Sequence, residues 1–159
     1  MTEVKAIENN DTTRNQIEYS YDKNGNILFK KEFQTAYDEK YKYTTEYKYD
    51  NNENLIELSF KSNFGTRKSI YRYNSDNRIV RIKEFANGQI EKETDYDDFY
   101  NPIFIKLYDN GLLIKEIEYD YDFDHNGNWI KRIVSWKEYK GKSNNWIPVY
   151  YETRTITYF

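Results

Sequence analysis

The chain has no cysteine, one histidine, one methionine, two prolines and six glycines in 159 residues. Without cysteine there is no disulfide framework and no thiol chemistry. The single histidine, His125, cannot complete a conventional zinc site without several carboxylates. As a general base it has no nucleophile beside it in sequence, so an exposed turn histidine is the expectation. Alanine is scarce too, at Ala6, Ala36 and Ala86 only, while Tyr, Thr, Ile and Asn abound. None of those is a strong helix former. No apolar run approaches the length of a membrane-spanning helix, and the opening residues lack the charged-then-apolar pattern of a secretory leader. The sequence as it stands reads as cytoplasmic; a cleaved leader would place the same chain outside the cytoplasm.

Positive charge is not in excess either. The net charge is -3 and the pI about 5.4, so there is no basic footprint for nucleic acid. Mean hydropathy is -1.07. Leu, Ile, Val and Phe together make 35 residues, little more than a disordered chain would carry. Tyrosine fills that gap with 18 residues. A tyrosine buries a large ring while its hydroxyl stays wet or hydrogen-bonded, so a thin, aromatic core is expected.

What is present is a phrase that recurs five times. Tyr21-Asp22-Lys23-Asn24-Gly25-Asn26-Ile27 is followed by Tyr49-Asp50-Asn51-Asn52-Glu53-Asn54-Leu55. Weaker copies run from Tyr73 to Ile79 and from Asp97 to Ile103, and a strong one from Phe123 to Trp129. Anchored on Asp22, Asp50, Asn74, Asp98 and Asp124, the steps are 28, 24, 24 and 26 residues. The centres read Asn24-Gly25, Asn52-Glu53, Asp76-Asn77, Tyr100-Asn101 and Asn126-Gly127, which predicts type I′ hairpin turns. Weaker turns fall near Tyr37 to Lys40, Asn63 to Thr66, Asn87-Gly88, Asn110-Gly111 and Gly141 to Asn145.

Each repeat therefore holds two strands and two turns. Alternation such as Ile17-Glu18-Tyr19-Ser20-Tyr21 places Ile, Tyr and Phe on one face and charges on the other. The prediction is an all-β antiparallel meander of roughly ten to eleven strands, forming a curled single sheet or an open barrel. Residues 1–15 are polar and unpatterned and are expected to be frayed or disordered. Residues 16–159 form a single β domain, with 135–159 as a C-terminal cap.

Tyr-Asp-x-x-Gly-Asn followed by an apolar residue resembles the YD repeat of RHS-like proteins, over roughly residues 17 to 136. Glu53 replaces the glycine in the second copy and Phe123 the first aromatic in the last; the copies at Tyr73 and Asp97 keep the spacing without the glycine. The resemblance implies a small, free-standing YD-repeat protein. It does not imply the self-cleaving core or the cargo-enclosing shell of large members, for which the chain is too short.

Three features bear on chemistry. Asp122, Asp124 and Asn126, followed by Gly127, match the first half of a calcium loop. The twelfth position of that loop falls on Ile133, where a glutamate is needed, and the same residues serve as a repeat turn. Glu116, Glu118, Asp120, Asp122 and Asp124 alternate as an acidic stripe. It is either a docking surface for a basic partner or a solvated face paired with Lys106, Lys131 or Arg132. Trp136, Tyr139 and Trp146 concentrate large aromatics near the C-terminal end, as partner-binding hot spots do.

No nucleophile–base pair, metal constellation or phosphate-binding glycine loop stands out. The expectation is a non-catalytic, cofactor-free protein-binding module, monomeric or an edge-paired dimer. Its partner would be a protein, such as a basic toxin or nuclease domain neutralised in the manner of an immunity protein. The partner surface is expected at Glu118, Asp120, Asp122, Trp136, Tyr139 and Trp146. The alternatives are a carbohydrate- or cell-surface-binding module using the aromatics, and a purely structural repeat fragment.

Overall fold

The computed structural model describes residues 3–10, 13–36, 39–139 and 147–157, with side chains over 17–33, 42–139 and 150–157. Among the described residues there are twelve strands and no helix. They are β1 (Glu3–Asn10), β2 (Thr13–Tyr21), β3 (Ile27–Ala36), β4 (Glu39–Tyr49), β5 (Leu55–Ser62) and β6 (Gly65–Tyr73). Then come β7 (Ile79–Ala86), β8 (Gln89–Tyr96), β9 (Pro102–Asp109), β10 (Leu112–Phe123), β11 (Trp129–Glu138) and β12 (Ile147–Thr153). Strand order follows the chain from β1 to β12, so the meander has two ends and is not closed into a barrel. The strand count exceeds the predicted ten or eleven because Glu3–Asn10, expected to be frayed, pairs with β2. Its register sets Val4 opposite Tyr19 and Ala6 opposite Ile17, an alternation too sparse to read in a polar stretch.

The chain divides into two compact units. One comprises Met1–Arg72 with Glu84–Gln89, the other Tyr73–Lys83 with Ile90–Phe159. A meander ties each strand to its neighbours in sequence, so cohesion is local.

The repeat phrase is a turn held by one side chain. Asp22 Oδ1 accepts the backbone N–H of Asn24 at 2.8 Å and of Asn26 at 2.9 Å, and Oδ2 accepts the Asn26 side-chain amide at 3.1 Å. Asp50 does the same with Asn52 and Asn54 at 2.8, 3.0 and 3.1 Å. Asp97 repeats it with Phe99 and Asn101, and Asp124 Oδ1 takes Asn126 and Asn128. The fourth anchor is thus Asp97 and not Asp98. At Asn74 the side-chain oxygen takes Asp76 and Arg78, both at 3.0 Å, while its amide donates to Asp98 at 3.1 Å.

These turns are not type I′. Gly25, Glu53, Asn77, Tyr100 and Gly127 have φ of 90°, 66°, 60°, 65° and 78°, and among the described residues no other position in the five loops is positive. The N–H of that residue bonds back to the anchor carbonyl, and the anchor N–H bonds to the carbonyl four residues on. This is a three-residue loop: a type I turn, then a left-handed residue forming a bulge. A second irregularity follows one pair further out: Tyr21 pairs with Ile27 but Ser20 with Phe29, leaving Leu28 as an extra residue, and Ile56, Ile103 and Ile130 are extra in the same way. Type I′ geometry appears instead at two of the weaker turns. Asn87-Gly88 and Asn110-Gly111 each have two positive φ values. Asn87 also reaches back to the start of β6: its N–H donates to the Thr66 carbonyl at 2.8 Å and its Oδ1 accepts the Thr66 N–H at 3.0 Å.

Tyrosine hydroxyls tie successive repeats. Tyr49 donates to the Ile27 carbonyl at 3.1 Å, and Tyr121 to the Pro102 carbonyl at 2.8 Å. Ile27 and Pro102 both lie five residues past their anchors. In the last repeat Phe123 has no hydroxyl, and Tyr121 supplies it from two residues earlier.

The core is thin, as expected. Among the described residues only Val134 is a buried hydrophobic, at 2% exposure, joined by Thr94 and Glu93. Val134 lies between Tyr119 on β10 and Tyr150 on β12. In this second unit Thr94, Ile105, Ile117 and Trp136 make one cross-strand row on the same face as Tyr119 and Tyr121. In the first unit Tyr43, Thr45, Tyr47, Leu58 and Phe60 share a face. The alternation does not hold on β3. Phe29 and Phe33 lie on the opposite face, with Lys31 and Lys42 laid over their rings at 5.0 and 5.9 Å. The long lysine stems cover what would otherwise be open rings.

Two predictions follow from the turns. Gly25→Ala adds a Cβ that meets nothing, so it loses only the left-handed strain, about 1 kcal/mol. Gly65→Ala sets its Cβ 2.6 Å from Asn87 Oδ1, the oxygen holding Thr66, and at φ 145° it loses on the order of 3 kcal/mol. Chemical denaturation compares them; an equal loss would remove the role given to Asn87.

The second concerns acid. Asp22 and Asp50 titrate below the usual 3.8. At Asp22 burial alone would raise the value, but hydrogen bonds from the Asn26 side chain and from the Asn26, Asn24 and Gly25 backbone outweigh it. At Asp50 the Asn54 side chain is the largest cause. A lowered folded pKa means the unfolded chain binds more protons in acid. The stabilisation is therefore complete above about pH 3.8 and lost as pH falls through the lower folded values. Melting temperature drops over that window, and Asp22→Asn with Asp50→Asn flattens the drop; an unchanged acid slope in the double variant would refute the assignment.

Candidate functional site

Four of the five predicted acids, Glu116, Glu118, Asp120 and Asp122, alternate on β10 and project from one face, while Asp124 lies beyond the strand as the anchor of the following turn. The register then shows what each meets. Glu116 lies between Lys106 on β9 and Lys137 on β11, and its Oε2 accepts the Tyr139 hydroxyl at 2.6 Å. Asp122 lies opposite Lys131 in an ion pair of 3.6 Å. Arg132 is not one of the partners. It lies opposite Tyr121, so it belongs to the other face, where it bonds Glu152 and stacks over Tyr119 and Trp129 at 5.5 and 5.3 Å.

The ends of the stripe are thus compensated and its middle is different. Glu118 lies between Phe104 and Ser135, and Asp120 lies opposite Ile133, which in turn lies opposite Tyr151. Glu118 and Asp120 are exposed, and Tyr151 is 70% exposed. Two carboxylates are set among Phe104, Ile133 and Tyr151. This arrangement can take a cation and bury apolar surface around it.

Of the predicted partner residues, Glu118, Asp120, Asp122 and Tyr139 come together on this face. Trp136 does not: it lies opposite Ile117 on the other face, half-buried, with Lys115 at 3.6 Å over its ring. Trp146 lies outside the described residues. Tyr151 stands among the aromatics of the C-terminal segment, while Ile133 was missed; what brings the two together is the pairing of β11 with β12, which sequence alone does not register.

The calcium-like copy is built as the other turns are. Asp124 Oδ1 accepts the N–H of Asn126 and of Asn128, both at 2.9 Å, and Asp122 points toward Lys131. Asn126 enters the motif as a backbone donor. His125 is exposed in the same loop. Among the described residues no group of three His, Cys, Asp or Glu side chains is placed to hold a metal ion.

The same face of β7 and β8 carries a compact ion-pair cluster. Arg81 grips Asp95 with two guanidinium nitrogens and reaches Glu93 at 3.3 Å, and Lys83 meets Glu93 at 3.2 Å. The Asp95 bond is the main cause holding Arg81 above its usual value. Beside it, Tyr108 is pushed up, first by burial and then by Glu93 and Glu116. Every charge here is answered, which marks the cluster as a sheet-holding feature.

The first unit carries a concave feature of the opposite sign. A groove of about 340 Å³ is lined by Thr44, Ser59, Lys61, Thr66, Lys68 and Phe85, with Glu46 as its one acid. Lys31, Thr44, Lys61 and Thr66 form one cross-strand row from β3 to β6. Lys42 lies two residues before Thr44, so three lysines surround that threonine. Lys68 lies over Phe85 at 5.2 Å.

No protein family matches the chain, and no curated protein matches it. Among solved structures, a mutant of S. aureus TarM in complex with fondaparinux, α-GlcNAc-glycerol and UDP is similar over 60% of this chain. The chain spans 19% of that one, at 13% identity and a TM-score of 0.33. A porin-like protein from Bacteroides uniformis is similar over 96% of this chain and 95% of its own, at 13% identity and a TM-score of 0.26. At these scores neither likeness bears on what the chain does.

The two neighbouring aspartates separate by role. Asp122→Ala changes stability by less than about 0.5 kcal/mol, as for an exposed ion pair. Asp124→Ala leaves two turn N–H groups without an acceptor and loses about 1 kcal/mol. Urea melts distinguish them, and millimolar calcium leaves the wild-type melting temperature unchanged; a calcium-induced rise would reinstate the metal site.

Proposed function

We propose that the chain is a non-catalytic protein-binding module whose contact surface is the middle of β10 with its neighbours on β9, β11 and β12. One observation carries this: Glu118 and Asp120 are exposed among Phe104, Ile133 and Tyr151, while the carboxylates at either end, Glu116 and Asp122, already face lysines or a tyrosine hydroxyl. Tyr151 is exposed and Phe104 and Ile133 are half-buried, and an exposed aromatic beside charges and apolar surface is what interface hot spots contain. The partner that suits them presents Lys or Arg beside aliphatic surface, as a basic toxin or nuclease domain does. On this reading the chain is a YD-repeat-like module in which the turns are scaffold and β10 to β12 carry recognition.

The carbohydrate reading has less support. Trp136 is half-buried and has Lys115 over one face of its ring, which leaves less of it for a sugar to stack on.

The test is capture of a partner from the source cell by tagged wild type, Asp120→Lys, Tyr151→Ser and Trp136→Ala, followed by titration of whatever the wild type retains. Asp120→Lys and Tyr151→Ser each weaken binding about tenfold or more, with the charge effect fading at high salt. Trp136→Ala leaves affinity unchanged in the folded fraction. Equal binding by wild type and Asp120→Lys would sink the assignment.

A further inference from the structure

We propose that this acidic surface has a mate on the same sequence: the β10 face of one copy seats on the lysine-lined groove of the first unit in a second copy. The inference rests on β10 being the recognition strand and adds the identity of a partner.

Four observations support it. First, the signs are complementary. The groove gathers Lys61 and Lys68 with Lys31 and Lys42 beside them; Glu46 lines it, Glu18 lies opposite Lys31, and the Glu57 carboxyl is held below its usual range by Lys48 first and in part by Lys68, so lysines lead over acids, whereas the β10 patch presents Glu118 and Asp120. Like charges crowded around Thr44 repel one another, and an opposing carboxylate relieves that repulsion. Second, the spacings match. Alternate residues on a strand stand about 7 Å apart, the step from Glu118 to Asp120; a one-strand, two-residue diagonal, the step from Lys42 to Lys61, is about 8 Å. Third, both surfaces set rings beneath cationic stems: Lys42 and Lys68 lie over Phe33 and Phe85 beside the groove, and Lys106 lies over Phe104 beside the acids, where Ile133 and Tyr151 add apolar surface. Fourth, Thr44 and Thr66 line the groove, and a threonine hydroxyl can donate to a carboxylate, while Ser59 already donates to Glu57 at 3.4 Å.

The contact joins two different patches. Each copy in a pair keeps one unused patch of either kind, so association continues into rings or open chains of copies. It is electrostatic, and salt weakens it: the screening length falls from about 10 Å near 0.1 M to about 3 Å near 1 M.

The experiment is sedimentation velocity over a concentration series at low and high salt. Wild type associates at low salt, and about 0.5 M NaCl weakens that association tenfold or more. Lys61→Glu with Lys68→Glu, and separately Asp120→Lys, each run as monomers with unchanged circular dichroism. Mixed one to one, the two variants form dimers and stop there, because only one good patch of each kind remains. The milder Lys61→Gln with Lys68→Gln gives a partial loss and stands in if the reversal unfolds the chain. A wild type that stays monomeric at every salt overturns the inference. So does association that survives both reversals, which would point to the apolar margins or a strand edge. Binding of a sulfated polyanion by a monomer, lost in Lys61→Glu with Lys68→Glu, assigns the groove to another occupant and overturns it too. A monomer that still captures a foreign partner through Asp120 leaves the protein-binding reading standing; failure of both assays removes both.

Discussion

A single oxygen atom does more for this chain than any hydrophobic contact. In each repeat the side-chain oxygen of Asp22, Asp50, Asn74, Asp97 or Asp124 takes two backbone N–H groups, two and four residues ahead. That bidentate cap fixes the turn, the turn fixes the bulge, and the bulge fixes which side chains of the following strand share a face. With one buried hydrophobic residue among those described, packing has little power to correct a misplaced register. The caps carry that burden.

The Asn74 repeat shows how closely the cap and its fourth residue are matched. Where the anchor is Asp, the fourth residue in three copies is an asparagine whose amide donates to the second carboxylate oxygen: Asn26, Asn54 and Asn101. Where the anchor is Asn74, an asparagine there would set donor against donor. Arg78 holds that place instead, and the Asn74 amide turns to Asp98. Arg78 also reaches the Asp98 carbonyl at 3.0 Å, so the substitution recruits the next repeat.

Much of this was legible in the sequence. The period, the strands, their antiparallel order and most of the apolar faces follow from five turn phrases and an alternation of two. The turn type did not follow, because Asn-Gly has the same letters in a two-residue and a three-residue loop; the discriminating signal was the recurrent Asn four residues after the anchor. Adjacent Asp97 and Asp98 both fit the anchor, and only Asn101 chooses between them. Phe29 and Phe33 broke the face rule because lysines laid across their rings make a phenylalanine tolerable on a charged face. Of the candidate site, the stripe on β10 was readable from its alternation. That its ends are answered and, among the described residues, its middle is not depends on neighbouring strands, and Trp136 went to the other face because strand parity beyond a bulge is fixed only by pairing.

The strand order itself has an evolutionary consequence. Each strand in the series pairs with the one before and the one after it in sequence. A hairpin repeat can therefore be duplicated or deleted by recombination within the gene, and the flanking strands simply find each other across the join. What limits such editing is the handful of hydroxyl and amide ties that span neighbouring repeats, such as Tyr49 to Ile27 and Arg78 to Asp98. Lineages descending from this sequence should differ by whole multiples of a two-strand unit of some two dozen residues, with the acidic strand and its neighbours kept while the scaffold before them lengthens or shrinks.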